Sequence, residues 1–178
     1  MRVTISGPPG SGKTTVAEVV SERLGLKLIL TGRVFRDQAK EAGMEVLEYN
    51  RLAEENRTID EKLDAEIIRL AMANDNSVVE GRLAGQLLLR EGIPALKVFV
   101  TAPPRVRAER IVKREETDIE SETRILIDRE NSERKRYIRF YGIDLDDMSV
   151  YDLVIDSTDI LAEEVAQIVI DEAEKRRK

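Results

Sequence analysis

The run Gly7-Pro8-Pro9-Gly10-Ser11-Gly12-Lys13-Thr14 carries the strongest chemical signal in the chain. It fits the pattern G-x-x-x-x-G-K-[ST] in full, and Thr15 continues the same segment. Glycines in that order let successive backbone N–H groups turn inward around a phosphate. A helix opening at Lys13 would add the positive end of its dipole. The Lys13 ammonium suits the β- and γ-phosphates of ATP, and the Thr14 hydroxyl suits a Mg²⁺ ion. The pattern also lies where its mechanism needs it, after the apolar run Val3 to Ile5 and before the helically spaced Lys13 to Leu24. A phosphate loop alone does not name a reaction, because GTPases, motor ATPases and small-molecule kinases share it.

Moving a phosphoryl group between two anions requires further cations outside that loop. Thr31-Gly32-Arg33-Val34-Phe35-Arg36 follows the short β-like run Lys27 to Leu30. Arg36 there is placed for an acceptor phosphate, and Phe35 either packs beside a base or fills the core. Glu80-Gly81-Arg82 comes straight after the strand Ser77 to Val79. Ligands of parallel sheets sit at the carboxyl ends of strands, so Arg82 is a second candidate for the acceptor phosphate. Glu80 has three open roles: accepting from a hydroxyl, ordering water on Mg²⁺, or pairing with an arginine. Arg105, Arg107, Arg110 and Arg114 lie on one helix, and Arg129, Arg134 and Arg136 return beyond a polar break at 115–118. Arg110 and Arg114 are four apart and share a face, where like charges repel unless an anion lies between them. The interleaved Glu109, Glu115, Glu116, Glu130 and Glu133 allow a plain salt-bridged helix pair instead. The functional alternative is a hairpin that closes over the triphosphate and excludes water.

The chain has 178 residues, no Cys and no His. That removes disulfides, a thiol nucleophile, a Ser-His-Asp triad and any Cys- or His-ligated metal. Chemistry must run on Lys, Arg, acids, hydroxyls, backbone N–H groups and bound Mg²⁺. A net charge of −6 argues against general nucleic-acid affinity. No apolar run is long enough to cross a membrane, so a cytoplasmic monomer acting on small-molecule nucleotides is expected. The chain has no Asn-Lys-x-Asp base-reading motif, which disfavours a GTPase.

The elements that must position these residues alternate. Helices are expected over 34–42, 45–56, 60–73 (with Asp60 as N-cap), 104–113, 121–141 and 161–177, besides the one opened by the phosphate loop. Strands are expected at 3–5, 27–30, 77–79, 96–100 and 153–155. Thr158 or Asp159 is expected to cap the final helix. Apolar strands alternating with helices indicate an α/β fold, a parallel sheet covered on both faces.

With these motifs in view, the chain resembles the short archaeal cytidylate kinases, within the nucleoside monophosphate kinase family. The resemblance runs from the phosphate loop through Thr-Gly-x-x-Phe-Arg at 31–36 and Glu-Gly-Arg at 80–82 to Tyr-Asp-Leu-Val-Ile at 151–155. It implies a single P-loop kinase domain over 1–178: a three-layer fold with a five-stranded parallel sheet, a helical acceptor region and a mobile lid. The core would be 1–30, 77–113 and 137–178, the acceptor region 31–76 and the lid 114–136. The implied reaction is transfer of the ATP γ-phosphoryl group to CMP or dCMP, with Mg²⁺. Thr31, Phe35, Arg36 and Arg82 would bind the acceptor, with Glu133 near its sugar. Arg110 would stack on adenine, and Arg114 and Arg129 would meet the ATP phosphates. Arg136 would bridge donor and acceptor phosphates, and the backbone at 156–158 would meet adenine. One departure bears on base choice: longer bacterial cytidylate kinases carry Asp after the Gly-Arg pair, where this chain has Leu83, and a larger acceptor insertion. The alternatives are an adenylate, shikimate or dephospho-coenzyme A kinase, or an ATP-dependent assembly factor. The acceptor arginines favour a kinase.

Overall fold

The computed structural model describes residues 1–115 and 118–177, and leaves the side chains of Leu47, Arg114 and Glu115 undescribed. Five strands form one parallel sheet: β1 (Arg2–Ser6), β2 (Lys27–Leu30), β3 (Ser77–Glu80), β4 (Leu96–Thr101) and β5 (Leu153–Asp156). The spatial order is β2-β3-β1-β4-β5. Central β1 pairs Val3 with Val78 on one side and with Leu96 on the other. β3 is buried along its whole length, as expected of an inner strand covered on both faces.

Two cores lie on opposite faces of the sheet. On one, Val3, Ile5 and Val98 pack with Val16 and Val20 of α1 (Lys13–Leu24) and with Val165 and Val169 of the final helix. On the other, Ile29 and Val79 pack with residues of four helices: α2 (Thr31–Glu41), α4 (Arg57–Met72), α5 (Ala84–Arg90) and α7 (Ile119–Tyr141). Helix α3 (Val46–Glu55) joins α2 and α4 around Ala39, Tyr49, Ala53 and Ile59. Helix α6 (Pro104–Glu115) packs on α7 through Ala108, Ile111 and Leu126. The last helix, α8, spans Ala162–Lys175.

Four expectations change. Helix α2 begins at Thr31 directly after β2, so Thr31 to Arg33 are helical too, ahead of the expected start at 34. Helix α4 begins at Arg57, capped by Asn56, whose Oδ1 accepts from Thr58 N at 3.1 Å. Asp60 is therefore in the first turns and 7% exposed, not a cap. Helix α8 opens at Leu161, where Glu164 Oε2 accepts from Leu161 N at 2.8 Å; Thr158 instead turns back to Asp156. Finally, α5 had no counterpart among the expected elements. Its residues Ala84, Gly85, Leu87 and Leu88 are buried, and such a short apolar stretch shows no clear helical stripe.

Candidate active site

Apart from Arg129, Glu133 and Arg136 on α7, the candidate groups follow the carboxyl ends of strands. The phosphate loop follows β1, Thr31 follows β2, Arg82 follows β3, the α6 arginines follow β4 and Ser157 follows β5. Parallel pairing therefore gathers residues distant in sequence along one edge of the sheet.

The loop itself is held by backbone geometry. Gly10 has φ +74°, and a Cβ there would lie 2.7 Å from the Arg107 carbonyl oxygen. Only glycine allows both that conformation and that approach. Arg107 is 3% exposed, donates to Ala102 O at 2.8 Å and Pro9 O at 3.1 Å, and pairs with Glu130. It thus anchors α6 and α7 to the loop as a structural cation. Arg105 with Glu109 (3.5 Å) and Arg134 with Asp146 (3.0 Å) form surface pairs, so these three arginines follow the salt-bridge reading.

Lys13 Nζ lies 3.3 Å from Pro8 O and 3.6 Å from Glu80 Oε1, and the Thr14 hydroxyl lies 3.4 Å from the same carboxylate oxygen. Burial lowers the Lys13 ammonium to about 8; Glu80 pulls it back up, and Arg82 lowers it further. Glu80 thus partners a lysine and a hydroxyl, a role different from the arginine pairing considered above. The Thr31 hydroxyl donates to Glu80 O at 2.7 Å, locking the start of α2 to the end of β3. Gly81 makes that approach possible, since a Cβ on it would lie 2.9 Å from Thr31 Cβ.

A cavity of about 950 Å³ opens from Lys13 and Thr14 and is lined by Thr31, Phe35, Arg36, Arg82, Arg129, Glu133 and Arg136. The acceptor candidates therefore converge on one space. Arg82 makes a two-pronged pair with Glu133, at 2.9 and 3.1 Å, which Arg129 joins at 3.1 Å. Burial pulls the Arg82 guanidinium below its ordinary value, against the opposing pull of Glu133. Arg36 is exposed beside Gly32 and has no carboxylate partner among the described residues. Phe35 lies in the cavity wall and packs on Tyr49, ring centroids 5.1 Å apart, so it serves wall and core together.

The donor side holds Arg110, which donates to the Ser157 hydroxyl at 3.0 Å and to the Ser157 carbonyl, with Ser11 O at 3.4 Å. Arg110 thus ties the β5 loop to the phosphate loop. The side chain of Arg114, and residues 116–117 of the expected lid, lie outside the described residues. Helix α7 runs unbroken through residue 136, from the expected lid into the core.

Sequence reading did not assign Asp60 to the cavity. Its carboxylate lines the cavity 3.5 Å from Arg136 Nε, and Asp64 lies one turn on. Burial pushes the Asp64 carboxyl up to about 6. The signal was there: two acids four apart repel on an isolated helix, and they sit among Ile59, Leu63 and Ile67. Among the described residues no cluster of three or more acids could hold a metal, and no helix is long and apolar enough to cross a membrane.

The model of the cytidylate kinase-like family matches residues 2–159. The chain belongs to that family. It is 46% identical to a cytidylate kinase of Methanocaldococcus jannaschii over 170 residues, 95% of each chain. It is also 46% identical to a cytidylate kinase of Archaeoglobus fulgidus, covering 99% of this chain and 97% of that one. Among solved structures, a shikimate kinase from Bacteroides thetaiotaomicron superposes with TM-score 0.67 at 14% identity, covering 98% of both chains. A protein from Eubacterium ventriosum reaches TM-score 0.75 at 16% identity, again over 98% of both. At those identities the likeness is one of fold: a P-loop kinase architecture. Membership in the cytidylate kinase-like family favours that activity over the other small kinases considered above.

Proposed function

We propose that the protein is a nucleoside monophosphate kinase that transfers the γ-phosphoryl group of ATP to CMP or dCMP, giving ADP and CDP or dCDP. The observation that carries this reading is the single cavity joining the Lys13–Thr14 end of the phosphate loop to Arg36 and Arg82. Donor and acceptor phosphates can meet there with cations on both.

In the reaction, an oxygen of the acceptor phosphate forms a bond to the γ-phosphorus. The bond from that phosphorus to the bridging oxygen of ADP breaks. Little covalent work falls to the protein, so positioning and charge carry the catalysis. Gly7 to Thr15 cradle the donor, and Lys13 neutralises its β- and γ-oxygens. Arg36 and Arg82 hold the acceptor phosphate, Arg82 being released in part from Glu133, which turns toward the acceptor sugar. Arg114 and Arg129 reach the transferring group from α6 and α7, within a lid over 114–136, Arg110 faces adenine, and Arg136, 3.5 Å from the Asp60 carboxylate, stays with the acceptor.

The Thr14 hydroxyl and the Glu80 carboxylate, 3.4 Å apart, form a hard oxygen pair that fits Mg²⁺. Thr14 would bind the ion directly and Glu80 through its water. When bound, the ion would supply charge neutralisation to the triphosphate. The protein is read as acting on free nucleotides as a cytoplasmic monomer.

The test is ADP release measured with each nucleoside monophosphate in turn. Stimulation by CMP above AMP, GMP and UMP is expected. Indifference to all of them would leave an ATPase or assembly role instead.

A further inference from the structure

Two buried charges in the acceptor cavity are incompletely used by the fold. Asp60 is 7% exposed, and its Oδ2 has no hydrogen-bond donor. The nearest cation, Arg136 Nε, lies 3.5 Å away and has no acceptor in hydrogen-bonding geometry. The Arg136 guanidinium instead lies over the Tyr137 ring at 5.2 Å, with one nitrogen 3.5 Å from the Tyr137 hydroxyl. A buried polar group left without a partner costs the fold stability, and more when it is charged. Burial pushes the Asp60 carboxyl above its ordinary range despite Arg136, as expected of a carboxylate short of donors. Both residues line the cavity, so a small side-chain turn would offer these covered atoms to whatever enters it.

The surroundings select which part of a nucleotide that is. Phe35, Val46, Ala53 and Leu63 line the same cavity and give it apolar walls suited to a flat heterocycle. A phosphate is disfavoured beside Asp60, whose neighbour Glu133 adds a second negative charge, whereas Arg36 and Arg82 offer it cations.

We propose that Asp60, with Arg136 beside it, reads the pairing edge of the acceptor base and so selects cytosine over uracil. This rests on the reading of the protein as a pyrimidine monophosphate kinase. Cytosine presents an amino donor at N4 next to an acceptor at N3. Asp60 Oδ2 accepts from N4–H, while Arg136 Nε–H donates to N3, and both groups gain the partner the fold leaves out. Uracil presents the reverse pattern. Its O4 would face the carboxylate, and its N3–H would face the guanidinium N–H. Two mismatches replace two hydrogen bonds, and a site whose buried polar groups go unpaired rejects that ligand. This supplies a base reader in a chain that has Leu83 after the Gly-Arg pair.

The test compares CMP, UMP and the CMP analogue whose 4-amino group is replaced by hydrogen, in the wild-type protein and in Asp60→Asn, at saturating ATP. In the wild type, kcat/KM should fall about 10- to 100-fold from CMP to the analogue, the range for losing a hydrogen bond to a charged group. Asp60→Asn should lose a similar factor with CMP and little with the analogue. Its preference for CMP over UMP should collapse accordingly, while KM for ATP stays put. Equal losses with all three acceptors would place Asp60 at the sugar or in the fold and overturn the proposal. An Asn variant that keeps the wild-type preference would overturn it too, and would leave the kinase reading standing. A wild-type protein indifferent to every pyrimidine monophosphate would defeat both. Should Asp60→Asn fail the check of a cooperative melt raised by ATP, Asp60→Ser takes its place, with the same ratios deciding.

Discussion

Raising the pH from about 7 to 9 should weaken ATP binding through one residue. Burial holds the Lys13 ammonium at about 8 in place of its ordinary 10.5, with Glu80 opposing and Arg82 assisting. Triphosphate oxygens at Lys13 stabilise the charged form and raise that value again. Binding must then take up protons, about half a proton per ATP at pH 8. Affinity should be flat below pH 8 and fall about tenfold per pH unit above it, until the ammonium of the complex itself titrates. The assay is calorimetry with Mg·ATP in two buffers of different ionisation enthalpy, which gives the proton count directly. Lys13→Arg is the control. Its guanidinium stays charged throughout, so any uptake remaining in that variant belongs to the nucleotide. Glu80→Gln should move the midpoint below 8, because the carboxylate that favours the ammonium is gone. Proton uptake near zero at pH 8, with a constant Kd from pH 7 to 9, would refute the picture of a desolvated lysine waiting for phosphate.

Four further outcomes are expected. Arg36→Ala should lower kcat/KM for CMP by about two orders of magnitude at unchanged Tm and ATP affinity. Arg82→Ala should do the same but also lower Tm, because it strands the buried Glu133; calorimetry for ATP beside CMP kinetics separates these cases, and an equal loss of ATP binding would move either residue to the donor side. Arg129→Ala should depress transfer to CMP more than slow ATP hydrolysis, because an imperfectly closed site still admits water; parallel loss of both activities would argue for weakened ATP binding alone. Asp64→Asn should raise stability at pH 7 and not at pH 4. The Asp64 carboxyl stands at about 6 against an ordinary 3.8, so its ionisation costs the native state stability as pH rises through 6, by at most about 3 kcal/mol. Urea unfolding of both proteins at the two pH values checks the sign, and a gain in midpoint that persists unchanged at pH 4 would contradict it.

Much was legible in the chain itself because it is local. A phosphate loop is one contiguous segment, and its glycines, lysine and hydroxyl act within a single strand–turn–helix unit. The gathering of Arg36 and Arg82 was also readable, since strand ends in a parallel sheet must share an edge. Absent Cys and His bounded the chemistry without any coordinates.

What tertiary structure alone decided is the partner of each charge. A highly charged helix does not declare which of its arginines are free. Packing spent Arg107 on Pro9, Ala102 and Glu130 and left Arg36 exposed, with no acid paired to it among the described residues. Lys13 and Glu80 meet only because β1 and β3 lie side by side with Ile5 opposite Glu80. Asp60 looked like a helix cap because Asp commonly caps, yet Asn56 took that place one turn earlier and carried Asp60 inward. Whether that carboxylate faced water or the acceptor depended on where α7 crosses α4, and no spacing in the sequence encodes the meeting of Asp60 with Arg136.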